Sequence, residues 1–539
     1  MSWRRLSFVR QAFHKVFLGV LLLTAWQGVS ATRIVFVGDS ITGLSRNASY
    51  GFANQLEATF KAEKPGGDYE IISLGGSGQS VSSWLGIEKR SRAQPVHLDV
   101  KTLDVKEELS RPADIMVVML GMNDVLAPYV NGSDAALDRW VEHYRSLIHA
   151  LRERAGPGRF AICSITPCTE DLSGPKNLLI DQMNSRIRDL AEAEGLEYFA
   201  TAESVRDVLS RGRKVKPDFH VTTDFVHPNR AGHLAIAQAM LRGIEKGEDN
   251  VGQSLRQQLD ALLEEASQAA GGLSWEIESI KPESDGVFSF TIRYYWKSAE
   301  DSVAPQMSLT VPEGWRVTPE ATAGVEGTFN ITGRPEQLEN RLVLSGKSGE
   351  DNRRAEITLP APWLVAAGLI LPHWSRDGFD HEAAITPIDW IIEAGENFVG
   401  DVEVGKGLKL TWQPLFSSVD YTGGDHPDSV DFAAITHAAT FEAGYAVRQI
   451  RSERQREVML EIGSRRFAGE CHLTVWLNGE LLYNDRTAKT EVPARLVEGQ
   501  NTLVFKASHR TWQWQVSVGV RGVDGDSLAD LRYSLPELE

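Results

Sequence analysis

Ser40 stands in Gly38-Asp39-Ser40-Ile41-Thr42, directly after the apolar run Ile34-Val37. A serine hydroxyl becomes a nucleophile when a nearby base takes its proton. Such a base is found far along the chain, in Asp224-Phe-Val-His227-Pro228-Asn229. The spacing of three lets carboxylate and imidazole share one loop, so that Asp224 can hold the ring tautomer while His227 faces a nucleophile. Two further segments offer hydrogen-bond donors. In Leu120-Gly121-Met122-Asn123-Asp124 a side-chain amide can point at a developing oxyanion. In Ser73-Leu74-Gly75-Gly76-Ser77-Gly78-Gln79 the glycines let a backbone N–H come close to a ligand. Together these are the parts of an acyl transfer. Each segment alone has a plainer explanation: Asp and Ser cap helices, Asn-Asp makes turns, and Gly-rich turns commonly join strand to helix. The glycine segment lacks the following Lys of a phosphate loop and the spacing of a dinucleotide loop. The four segments gain weight from their order on one domain, each at the same predicted sheet edge.

The elements that would position them alternate along residues 33–247. Short apolar runs at Ile34-Val37, Tyr69-Leu74, Ile115-Leu120, Phe160-Ile165 and Leu196-Phe199 read as buried parallel strands. Helical periodicity lies between or after them, near Gly51-Lys64, Ala135-Arg154, Leu178-Glu194 and Arg230-Gly247. Five parallel strands with helices on both faces predict an α/β three-layer sandwich whose ligand site lies at the carboxyl ends of the strands. Residues 251–272 read as a helical connector ending at the Gly271-Gly272 hinge, with Leu255, Leu259, Leu262 and Leu263 at helical spacing. Beyond it, residues 273–362 predict a small β-sandwich and residues 363–539 a second β-rich unit. There Asn478-Gly479 marks a type I′ hairpin and Val497-Glu-Gly-Gln leads into another strand.

The four segments, in this order on this architecture, resemble the SGNH, or GDSL-type, hydrolase family over about residues 33–245. The resemblance implies a flavodoxin-like catalytic domain at residues 32–250. It also implies Ser40 as nucleophile, Asp224 and His227 as the acid-base pair, and Asn123 as the oxyanion-hole asparagine. The glycine of the oxyanion hole is placed at Gly78, whose Ser-Gly-Gln step matches the family's Ser-Gly-Asp, with Gly75 as the alternative. The N–H groups of Ser40 and Gly78 and the Asn123 amide would then hold the oxyanion, each worth about 3 kcal/mol. No metal and no organic cofactor is expected. His373, His381 and His426 lack ligand spacing and read as loop or surface residues.

The remaining sequence constrains the setting. Arg4, Arg5, Arg10 and Lys15, the apolar run Val16 to Ala25 and Val29-Ser30-Ala31 read as an export signal over residues 1–31, too short in its apolar part to span a bilayer. Its removal takes the formal charge from -17 to -21. So acidic a surface repels phosphate backbones and argues against a nucleic-acid partner. A secreted or periplasmic protein with no membrane span after signal removal is expected. Cys163, Cys168 and Cys471 are too few for a disulfide scaffold and read as packing residues. The last part resembles the jelly-roll accessory domains of secreted carbohydrate-active enzymes. Seven of the fourteen Trp residues lie there, at Trp363, Trp374, Trp390, Trp412, Trp476, Trp512 and Trp514. Some can stack on sugar rings, although filling sandwich cores is the more common use. Carbohydrate O-deacetylation is therefore the expected activity, on an acylated saccharide that the C-terminal domain can also bind. A lipolytic esterase or thioesterase is the alternative enzyme, and a binding or adhesion protein with an inactive hydrolase domain the alternative outside enzymology.

Overall fold

The computed structural model describes residues 31–537 apart from several breaks, the longest at 371–386, 400–410 and 417–427. The expected export signal lies outside the described residues except for Ala31, as do Trp374, Trp512, His373, His381 and His426.

Five strands, β1 (Thr32–Gly38), β2 (Tyr69–Gly75), β3 (Ile115–Met119), β4 (Arg159–Cys163) and β5 (Glu197–Phe199), form one sheet in the order β2-β1-β3-β4-β5. Every pairing in it is parallel. Helices cover the sheet, so its central strand β3 is continuously apolar and every residue of it is buried. The chain leaves β1 toward β2 and then crosses back to β3 on the other side. That reversal opens a crevice between the carboxyl ends of β1 and β3, where ligands bind in sheets of this order. Ser40 follows β1 and Asn123 follows β3, so both stand at the crevice.

The four expected helices are found at Phe52–Glu63, Asp134–Ala155, Pro175–Glu194 and Arg230–Ile244. Val81–Ser91 and Thr201–Val215 are also long helices, although the sequence pattern did not point to them. The first carries a run of serines and Gly86, which weaken helical propensity. Tertiary contacts override this: a Ser80/Ser83 capping box starts the helix, and the buried Trp84 ring donates from Nε1 to the Gly38 carbonyl at 2.7 Å. The helix Gln253–Ala269 buries Leu255, Leu259 and Leu263 in the same core as the parallel sheet, so it packs on this unit as well as leading out of it.

The remainder of the chain is built largely of antiparallel sheets. Two four-stranded sheets follow the helix, enclosing Phe290, Ile292, Tyr294, Leu342, Leu344 and Ile357. In Phe288–Trp296 every second residue is buried, the alternation of a strand with one face on a core. Beyond residue 361 a seven-stranded and a four-stranded sheet enclose a third core that includes Trp363 and Trp514. The expected hairpin joins Cys471–Leu477 to Glu480–Arg486, with Asn478 at φ 55° and Gly479 at φ 83°, as a type I′ turn requires. Trp363, Trp476 and Trp514 are buried, while Trp390 is 63% exposed. Cys163 and Cys168 are buried and unbridged, and Cys471 is buried too. Burial pushes the Cys168 thiol up to about 11, so it packs as a neutral side chain.

Candidate active site

Asp39 follows β1 and caps the short helix Ser40–Leu44, its Oδ1 accepting from the Ile41 N–H at 2.9 Å. Ser40 is thereby the first residue of a helix, and its own N–H has no intrahelical acceptor. Its Oγ lies 2.8 Å from His227 Nε2. On the other side of the ring, His227 Nδ1 is 2.7 Å from Asp224 Oδ2. An ionised carboxylate only accepts, so Nδ1 carries the proton of the neutral ring and Nε2 is left to accept from Ser40. The structure thus brings Ser40 to a carboxylate–imidazole pair more than 180 positions away in sequence.

The loop that carries the last two is folded tightly. Asp224 Oδ1 accepts from the backbone N–H of Val226 at 3.2 Å and of His227 at 2.7 Å, while Phe225 between them sits at φ 74°. The Asn229 side chain then caps the helix Arg230–Ile244 by accepting from the Gly232 N–H at 3.1 Å. The acid and the base therefore leave from one rigid turn. Burial works to raise the Asp224 carboxyl, but the hydrogen bond and charge of His227 outweigh it and hold it below the ordinary value. For His227, burial works to lower the pKa, and the Asp224 hydrogen bond and charge, helped by Asp39, leave it above the ordinary 6.5.

Asn123 is the second residue of the short helix Met122–Leu126 after β3. Its Nδ2 donates to the Gln79 carbonyl at 3.0 Å, while the buried Asp124 carboxylate accepts from the Val81 N–H at 3.1 Å. Asn123 and Asp124 therefore grip the turn containing Gly78 from two directions. This clamp and the Trp84 contact were not apparent in the sequence; the only signal was that Asp124 adjoins a candidate donor. Asp39 is the helix cap that its type and place in Gly38-Asp39-Ser40 allow. Burial pushes both the Asp39 and the Asp124 carboxyls up to about 7.

Gly75 and Gly78 differ in what they require. A Cβ on Gly75 would stand 2.0 Å from the backbone N of Gly43, in the helix that begins with Ser40. At Gly78 a Cβ would meet nothing within 4 Å, and the constraint is its φ of 69°. Gly75→Ala should accordingly displace the Ser40 helix, lowering the melting temperature sharply together with labelling of the serine by a fluorophosphonate. Gly78→Ala should cost only the left-handed conformation, about 1 kcal/mol. Equal melting temperatures for the two variants would contradict this reading of Gly75.

Among the described residues, no group of three or more His, Cys, Asp and Glu side chains is placed to hold a metal ion. No helix among them is long and apolar enough to cross a membrane.

The N-terminal part of the chain is similar to known proteins. Residues 36–235 match the GDSL-like lipase/acylhydrolase family. An acetylxylan esterase from Geobacillus stearothermophilus is 25% identical over 219 residues, covering 40% of this chain and 94% of that protein. Among solved structures, an acetylxylan esterase from the same organism is 21% identical with a TM-score of 0.32, covering 42% of this chain and 99% of its own. A lipolytic protein of the G-D-S-L family from Veillonella parvula is 18% identical with a TM-score of 0.30, covering 40% of this chain and all of its own. The N-terminal unit of this chain is a GDSL-type (SGNH) hydrolase domain, and the protein is a serine ester hydrolase.

Proposed function

We propose that Ser40, His227 and Asp224 are the catalytic triad and that the enzyme removes O-acetyl groups from carbohydrates. The hydrogen-bonded row from Ser40 Oγ through the imidazole to Asp224 carries the first part of this reading. His227 Nε2 takes the hydroxyl proton as Ser40 Oγ attacks the ester carbonyl, and Asp224 stabilises the imidazolium. The Ser40 and Gly78 N–H groups and the Asn123 amide receive the oxyanion. His227 then gives the proton to the leaving alcohol, and a water activated by the same nitrogen releases the acid.

The acetyl preference is supported by the relative named as an acetylxylan esterase, which aligns over nearly its whole length. It is also supported by the β-rich units that follow the hydrolase domain, for which we propose a part in holding the saccharide. Residues 1–31 are proposed as an export signal that delivers the enzyme to a secreted or periplasmic setting where such polymers are met. The test is acetate release from acetylated xylan and pectin, measured beside hydrolysis of model esters of increasing acyl length. Acetate release with a steep fall beyond short acyl groups is expected. Preference for long chains without acetate release would instead make it a lipolytic esterase.

Two consequences concern the reaction itself. Catalysis needs neutral His227, so kcat/KM should fall as the pH drops through the pKa of the free enzyme. Because that pKa is raised, the acid limb should lie above 6.5. A limb well below 6.5 would remove the role given to Asp224. Asn123→Ala should lower kcat by about a hundredfold to a thousandfold with KM little changed, as loss of one oxyanion donor does. Because the Asn123 amide also holds the Gln79 carbonyl, the larger end of that range is expected.

A further inference from the structure

Glu170 lies between β4 and the helix Pro175–Glu194, 50 or more residues from the loop it touches, and has no accessible surface. Its carboxylate is almost fully used by that loop. Oε1 accepts from the backbone N–H of Val221 at 2.9 Å, the backbone N–H of Thr222 at 2.8 Å and the Thr222 hydroxyl at 2.6 Å. Oε2 stands 2.9 Å from His220 Nδ1 and 3.3 Å from Arg213 Nη2. The neighbouring residue adds a contact inside the active loop: the Thr169 N–H donates to the carbonyl of Phe225 at 2.7 Å, between Asp224 and His227. Thr169 and Glu170 hold left-handed backbone angles, φ 58° and 56°, without being glycine. Such conformations persist where surrounding contacts over-determine them, and they cluster near functional sites.

From this geometry we infer that Glu170 is a positioning residue for the reaction, the buried anchor that sets the height and angle of the loop presenting Asp224 and His227 to Ser40. The inference rests on the triad reading given above. A neutral isostere cannot do the same work. Three donors converge on one oxygen, and Glu170→Gln either turns an amide N–H toward two backbone N–H groups or leaves the His220 and Arg213 donors facing one. Burial alone would raise the Glu170 carboxyl, but the hydrogen bonds and charges of His220, Thr222 and Arg213 leave it below the ordinary value, so it stays an anion. The Thr222 backbone that it holds pairs with Pro228, the residue after His227. A shift at Glu170 is therefore transmitted to both ends of the catalytic turn. An error of 1 Å in such a group costs about a hundredfold in rate.

The test compares the parent enzyme with Glu170→Gln, Glu170→Asp and Thr222→Val on a short-chain ester. A control, Glu88→Gln, removes another buried carboxylate, one in the helix Val81–Ser91 that pairs with Arg92 at 2.6 Å. Glu170→Gln should lower kcat by about tenfold to a hundredfold with KM within twofold. It should also weaken or lose the low-field NMR signal of the His227 Nδ1 proton while the protein still unfolds cooperatively. Thr222→Val, which removes one of the three donors to Oε1, should show a smaller loss of the same kind and provides the test if Glu170→Gln does not fold. Glu88→Gln should lose melting temperature but keep kcat. A folded Glu170→Gln with parental kcat and an unchanged proton signal overturns the inference, as does an equal loss of kcat in Glu88→Gln at matched loss of stability. Failure of the underlying triad reading is separately visible, because Ser40→Ala would then retain activity whatever Glu170 does.

Discussion

Ser40→Ala should reduce kcat by about ten-thousandfold to a millionfold while leaving KM and the melting temperature close to those of the parent. The size of the effect follows from the loss of the attacking atom; what survives is the binding and the oxyanion donors, which assist only direct attack by water. The substitution is also structurally mild. The helix start is held by the Asp39 carboxylate and not by the Ser40 hydroxyl, and the hydroxyl makes its described contact with the His227 ring alone. The check is steady-state kinetics beside stoichiometric labelling with a fluorophosphonate. The parent should be labelled once and the variant not at all. Retention of even a tenth of the parental rate would remove Ser40 from the mechanism and leave the hydrolase domain in need of another nucleophile.

Asp224→Asn should be nearly as damaging, with kcat down by about ten-thousandfold. The physical cause is the tautomer. An amide N–H facing His227 Nδ1 requires that nitrogen to accept, which moves the ring proton to Nε2 and leaves nothing to receive the Ser40 proton. The amide oxygen can meanwhile keep the place of Oδ1, which holds the Val226 and His227 N–H groups, so the turn should survive. Residual activity should show its acid limb shifted to lower pH than in the parent, because the charge and hydrogen bond that raise the His227 pKa are gone. Measured pH profiles of kcat/KM decide it. A variant within tenfold of the parent, or one whose limb does not move, would show that Asp224 does not govern the ring.

These expectations trace to different levels of information. By itself the sequence determined the parallel sheet, because strands buried on both faces must be continuous apolar runs, and Ile34-Val37 and Ile115-Leu120 are such runs. It determined that Ser40 and Asn123 lie at carboxyl edges, since each follows its strand directly. It determined the Asn478-Gly479 turn, because only such residues accept two successive positive φ angles cheaply. It also placed Asp224 three residues before His227, close enough to share a loop. What it left open was everything that depends on contacts distant along the chain. The Val81–Ser91 helix escaped because its local propensity is poor and its stability comes from burying Trp84 under β1. The difference between Gly75 and Gly78 is invisible in letters, since one is demanded by the backbone of Gly43 and the other by its own φ. The last third of the chain holds seven tryptophans, and only folding separated the buried Trp363, Trp476 and Trp514 from the exposed Trp390. Glu170 is the clearest case. A lone glutamate in a loop carries no pattern, and its five donors come from Arg213 and residues 220–222, which only the tertiary structure folds around one buried carboxylate. Periodicity and turn chemistry are local properties and can be read locally, whereas burial of a charge is defined by what surrounds it.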